Sequence, residues 1–246
     1  MYVRGLREAL LRVSAAAAVV VGANTAFAAP VVTLSIDSIG IYDNYTIQAE
    51  TLPNGDGTYG LSGIGYGNNF QCNWDLTVNP DPSITGTFHL TNLNAATTTF
   101  VVLASLPIGS FGAPTATGGY LGDVTYNDAN NDGNLSWDPV NASTAIYMSL
   151  INGANYQGIN VPSGPAFGTG VTVTSSRVSF GLPGLTQAGP AASGTIGIRL
   201  SFQLTGNDHV DIPVFFQLEG GAVPEPATVL LLGVGLAGLA LIRKRA

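Results

Sequence analysis

From Phe70 to Val78 every second residue is apolar: Phe70, Cys72, Trp74, Leu76 and Val78 alternate with Gln71, Asn73, Asp75 and Thr77. A period of two places the first set on one face of an extended strand and the second on the other, a pattern that a helix would scatter around its axis. The same period recurs in Val32/Leu34/Ile36, Ile84/Phe88/Leu90, Phe100/Val102/Ala104, Ile196/Ile198/Leu200/Phe202/Leu204 and Val210/Ile212/Val214/Phe216/Leu218. Turn-forming residues punctuate the runs, most clearly Pro53-Asn54-Gly55-Asp56-Gly57, Asn79-Pro80-Asp81-Pro82 and Gly206-Asn207-Asp208. Short alternating strands with turns between them and no helical pattern among them predict an all-β fold, an antiparallel β-sandwich or jelly roll.

Residues 29–222 contain a single cysteine, Cys72. No disulfide can form within them, so burial must hold the fold together, and Cys72 itself reads as a small core residue on the apolar face of its strand. The glycine cluster Gly60, Gly63, Gly65 and Gly67 reads as a strand with bulges or a close backbone approach. Between about residues 106 and 139 the alternation lapses into Gly, Pro, Asn and Asp, and this stretch is expected to be a long loop inside one domain rather than a linker between two small ones.

Both ends differ from this middle. Arg4, Arg7 and Arg12 lead into an apolar run over residues 13–23, followed by Ala26-Phe27-Ala28, the small-x-small pattern that signal peptidase cuts. Residues 1–28 are therefore read as a signal peptide and Ala29 as the mature start. At the other end Pro224-Glu225-Pro226 precedes an uncharged, mostly apolar run over residues 227–242, and Arg243, Lys244 and Arg245 follow. As a helix that run spans about 24 Å, a little under the roughly 30 Å of a bilayer core, and flanking residues extend it. It reads as a transmembrane helix whose basic end stays in the cytoplasm, leaving residues 29–222 outside the inner membrane.

These three tail elements, in this order, resemble the C-terminal sorting signal of the PEP-CTERM proteins, which Gram-negative bacteria export and process with an exosortase. The resemblance is limited to residues 223–246. It implies cleavage near Pro224, Glu225 and Pro226 and delivery of the core, residues 29–222, to the cell surface or an extracellular polysaccharide matrix. It implies nothing about what the core does there.

Charge narrows the partners of the core. Of the 15 acidic residues of the chain only Glu8 and Glu225 lie outside residues 29–222, and of the 8 basic ones only Arg177 and Arg199 lie inside, so 13 acids face two arginines, a net of −11. Such a surface repels nucleic acid and anionic lipid and attracts divalent cations. Four of these acids, Asp123, Asp128, Asp132 and Asp138, fall in a short stretch without a basic residue. Counted from Asp128, oxygen-bearing side chains occupy positions 1, 3, 5 and 9, Gly133 stands at 6 and an apolar residue at 8, a spacing similar to the calcium loops of EF-hand and dockerin-like proteins. Position 12 is Pro139 instead of the usual bidentate acid, and no helix pattern flanks the stretch. The expected cofactor is calcium, held by Asp128, Asn130, Asp132, the Asn134 carbonyl and Asp138, against the plainer reading of a solvated turn.

Signals for catalysis are sparse. The two histidines are His89 and His209, no G-x-S-x-G surrounds a serine, and Gly233-Val-Gly235-Leu-Ala-Gly238 lies inside the apolar tail without strand–turn–helix context. His209 and Asp211 share the polar face of one strand; such a pair can orient an imidazole or hold a metal, and is read here as solvated surface. The expectation is a non-enzymatic surface or matrix protein. Its competitors are a calcium-dependent carbohydrate-binding module and a secreted polysaccharide hydrolase, whose paired carboxylates would leave no local mark in sequence.

Overall fold

The alternating runs become strands with the faces their periodicity dictates. The computed structural model describes residues 29–39, 43–132, 134–141, 144–159, 164–167, 172–175, 178–181 and 187–220. The expected signal peptide, the apolar run at 227–242 and the sorting residues Pro224, Glu225, Pro226, Arg243, Lys244 and Arg245 lie outside the described residues. The strands are β1 (Val31–Ile39), β2 (Asp43–Glu50), β3 (Leu52–Pro53), β4 (Tyr59–Tyr66), β5 (Phe70–Asn79) and β6 (Ser83–Asn92). They continue with β7 (Thr98–Phe111), β8 (Thr115–Tyr120), β9 (Val124–Asn127), β10 (Asn134–Pro139), β11 (Tyr147–Ile151) and β12 (Ala154–Ile159). The last are β13 (Gly164–Phe167), β14 (Thr172–Ser175), β15 (Ser179–Phe180), β16 (Gln187–Ala188), β17 (Ala192–Leu204) and β18 (His209–Glu219).

All pairings are antiparallel, and they make two sheets. The first runs β12-β11-β17-β7-β1-β2, with β10 also on β17 and β13 on β10; the second runs β14-β9-β18-β6-β5-β4-β3, with β8 on β18 and β15 and β16 on β8. Strand β17 pairs with β7 along one edge and shares its other edge between β11 and β10. Strand β18 repeats the plan in the second sheet, with β6 along one edge and β8 and β9 sharing the other.

One hydrophobic core lies between the sheets. Every apolar member of the alternating runs is buried, and the inner faces of both sheets contribute to the same cluster. Aromatic rings link it from sheet to sheet: Phe70 on β5 meets Phe100 on β7 at 6.2 Å between centroids, Phe100 meets Phe202 at 6.0 Å, Phe202 meets Trp137 at 6.0 Å, and Trp137 meets Tyr126 on β9 at 6.0 Å. Such edge and tilted contacts add to the area term. Cys72 is wholly buried, and burial pushes its thiol up to about 12, as suits a core residue. The glycines of β4 serve close packing, as the sequence suggests: a Cβ on Gly63 would stand 2.6 Å from the Trp74 ring, and one on Gly65 2.8 Å from the Tyr45 ring.

The stretch from 106 to 139 departs from the expected loop. It holds the end of β7 and all of β8, β9 and β10, and sends Tyr120, Val124, Tyr126 and Trp137 into the common core. The strand β8 escapes an alternation test because its inward positions are Ala116 and Gly118 before Tyr120. Glycine there answers to crowding: a Cβ on Gly118 would lie 2.8 Å from both the Tyr147 hydroxyl and the Phe180 ring.

Candidate metal centre

Two of the carboxylates singled out by sequence, Asp128 and Asp132, lie together at one end of the sandwich, where β9 ends, β10 begins and β17 turns into β18. Asn92, at the end of β6 and fully buried, fixes that end. Its side-chain amide nitrogen lies 3.0 Å from the carbonyls of Ala96 and Leu204 and 2.9 Å from that of Thr205, its Oδ1 accepts from the Asn94 N–H at 3.0 Å, and its own N–H donates to the Asp208 carbonyl at 2.9 Å. The β6–β7 and β17–β18 turns are thereby tied to one side chain. On the other flank the Ser136 N–H donates to Thr205 Oγ1 at 2.9 Å, which couples the start of β10 to the same turn.

Against this frame the segment after β9 folds as a compact turn. Asp128 is 1 % exposed, and its Oδ1 accepts from the Asp132 N–H at 3.2 Å. Asn130 Oδ1 accepts from the same N–H at 2.9 Å, while its amide donates to Asp132 Oδ2 at 2.9 Å and to the Gly206 carbonyl at 3.0 Å. Asn131 adopts φ of 58°, the left-handed conformation that asparagine tolerates best after glycine. Short polar side chains that bond their own backbone two to four residues on are what make this composition a turn.

The structure brings together Asp128, Asn130 and Asp132 and adds Asp208, which sequence reading passed over as part of a turn. Asp208 is fully buried, its Oδ2 accepts from the Thr205 hydroxyl, and its Oδ1 has no hydrogen-bond partner among the described residues. Burial raises its carboxyl above the usual 3.8; the Thr205 hydroxyl opposes this, the charge of Asp128 adds to it, and the Ala129 backbone and Asp132 act in turn down and up. The signal that would have found it is an acid in a Gly-Asn-Asp turn, but only the fold shows which loop faces that turn.

Asp138 stands apart on β10, accepting from the Ser136 hydroxyl, and its charge helps burial raise the Tyr126 hydroxyl. Asn134 opens β10 opposite Phe167, so residues 134–139 run as a strand and do not wrap round an ion as the last part of an EF-hand loop does. Among the described residues, the three-ligand group whose atoms close to within 4.8 Å of one another lies elsewhere, on β6 and β18.

Beyond the last described strand the tail is recognised by its family. No curated protein matches the chain. A family model, the PEP-CTERM protein-sorting motif, matches residues 222–245, which include Pro224, Glu225, Pro226 and the basic cluster Arg243, Lys244 and Arg245. The match begins two residues after Gly220, where the described chain leaves β18. The chain thus ends in a PEP-CTERM sorting motif, the mark of an exported protein that an exosortase processes.

Proposed function

We propose that the core is a non-enzymatic structural or interaction protein of the cell surface or exopolysaccharide matrix of a Gram-negative bacterium, held at the inner membrane by its tail until the exosortase cuts it, and that calcium locks the end of its sandwich. The sorting motif supports the destination. The observation that carries the calcium reading is Asp208: a buried carboxylate whose Oδ1 has no hydrogen-bond partner among the described residues, close to the charges of Asp128 and Asp132, costs free energy that a bound cation would relieve. Calcium takes six to eight oxygens in flexible geometry, so Asp128, Asp132, Asp208 and waters suit it.

Millimolar calcium should raise the thermal midpoint of the exported protein, by about 5–10 °C at a hundredfold excess over Kd. Asp208→Asn should abolish that rise, and in chelator it should melt above the wild type, because the amide removes the charge that burial disfavours. The sign follows from linkage. Since the folded carboxyl titrates above 3.8, folding takes up a proton, and the stability contributed by Asp208 falls as pH rises from that value through the folded one. The chelator gap between variant and wild type should therefore be widest at neutral pH and close below 3.8. A variant that keeps the full calcium response would defeat the ligand assignment. Release of soluble sugar from polysaccharides incubated with the exported protein would overturn the non-enzymatic reading, whereas retention without product supports it.

A further inference from the structure

The second sheet carries a polar outer face whose centre is a group of three ligating side chains. His89 on β6 lies directly across from Asp211 on β18, and His209 lies two residues before Asp211, so strict alternation sends all three side chains outward. His89 Nδ1 is 2.5 Å and His209 Nε2 2.7 Å from the same oxygen, Asp211 Oδ1. The two imidazoles stack with 6.4 Å between centroids and 8° between planes. Each of the three is roughly one-third exposed: 39 % for His89, 31 % for His209 and 35 % for Asp211. His89 and Asp211 are 122 residues apart in sequence, which is why the strand pattern alone pairs His209 with Asp211 and misses the third member.

We propose that His89 Nδ1, His209 Nε2 and Asp211 Oδ1 form a site for one divalent transition-metal ion of the zinc class, with its remaining positions open to solvent. The three ligand atoms already lie within 4.8 Å of one another. Tetrahedral bonds of 2.0–2.1 Å separate ligands by about 3.3 Å, so closing around an ion requires each histidine nitrogen to part from Asp211 Oδ1 by less than about 1 Å, within the reach of side chains one-third exposed. Binding requires the facing nitrogens to be free of protons, which moves the His209 proton to Nδ1. There the Thr91 hydroxyl oxygen stands at 3.0 Å to accept it, the outer-shell hydrogen bond that orients metal-bound histidines. Imidazole nitrogens favour zinc, copper and nickel over calcium, so this site is chemically distinct from the carboxylates at the end of the sandwich. It sits on two adjacent interior strands of one sheet, a rigid platform.

The test uses the exported protein recovered from the producing cell, stripped with chelator and titrated with zinc chloride in calorimetry and with cobalt chloride in visible absorption. One zinc per chain and a cobalt spectrum of a four- or five-coordinate ion are expected. Loss of an outer-shell partner already costs about 10- to 100-fold, so His89→Gln, which removes a ligand, should weaken zinc binding by at least as much and His89→Gln/His209→Gln should abolish it, with melting in chelator unchanged. Asp208→Asn should leave zinc binding intact, which separates this site from the calcium reading. Absence of stoichiometric zinc uptake, or unchanged uptake in the double variant, would overturn the assignment.

Discussion

Replacing Trp137 by alanine is expected to cost about 3–5 kcal/mol, the largest loss from any single side chain considered. Trp137 is wholly buried, and its ring joins Tyr126 of one sheet to Phe202 of the other. Alanine at that point leaves a void where two rings lose their common neighbour, and a packed interior relaxes only partly into such a space. Against a total of about 5–15 kcal/mol this consumes much of the margin and should lower the midpoint by about 6–20 °C. Trp137→Phe should recover most of it: it keeps ring contact and removes an indole N–H that is buried without an acceptor among the described residues. Leu52→Ala, at a residue 74 % exposed, should barely move the midpoint. A thermal melt in which the Trp137 and Leu52 alanine variants coincide would show that the aromatic series does not hold the sheets together.

The other large effect is all-or-none. Alanine at Pro224, Glu225 and Pro226 together should leave the protein uncut and fractionating with membranes, whereas the wild type should be recovered without residues beyond about Pro226. Intact mass and fractionation read both states. If the apolar run at 227–242 anchors the chain as proposed, it prefers lipid to water while attached, and cleavage is what frees the core from it. Loss of the exosortase should produce the same retained form. Released wild-type protein still ending in Arg243 to Ala246 would overturn processing and favour a permanent anchor.

How far the sequence alone reached is clearest residue by residue. Phe70 to Val78, and the runs through β1, β6, β7, β17 and β18, revealed both their strands and their buried faces, because alternation is a local property. β8 stayed hidden because alanine and glycine fill its inward positions, so the apolar signal vanishes where another strand crowds in. Asp128, Asn130 and Asp132 were legible as a cluster since they are neighbours along the chain. Asp208 and His89 were not, since the fold alone sets Asp208 beside Asp128 and Asp132 and pairs His89 with Asp211 across two strands. The motif at 222–245 needed no fold at all, since its three parts lie in order along one short segment of sequence.

The position of β17 and β18 has a consequence for the order of events during export. They are the last long strands among the described residues, yet each is bonded along both edges, one inside each sheet. Until residues 192–219 have crossed the membrane, the first sheet has nothing to join β7 to β10 and β11, and the second has nothing to join β6 to β8 and β9. The long-range pairings that complete both sheets therefore form late, and a partly emerged chain exposes open strand edges while it waits. The sorting motif follows immediately after these strands, so a tail that acts as the proposed anchor would reach the membrane as the sheets first become able to close. A pause there would keep the unfinished protein from other unfinished copies, and the cut would release a domain that has had the time to fold.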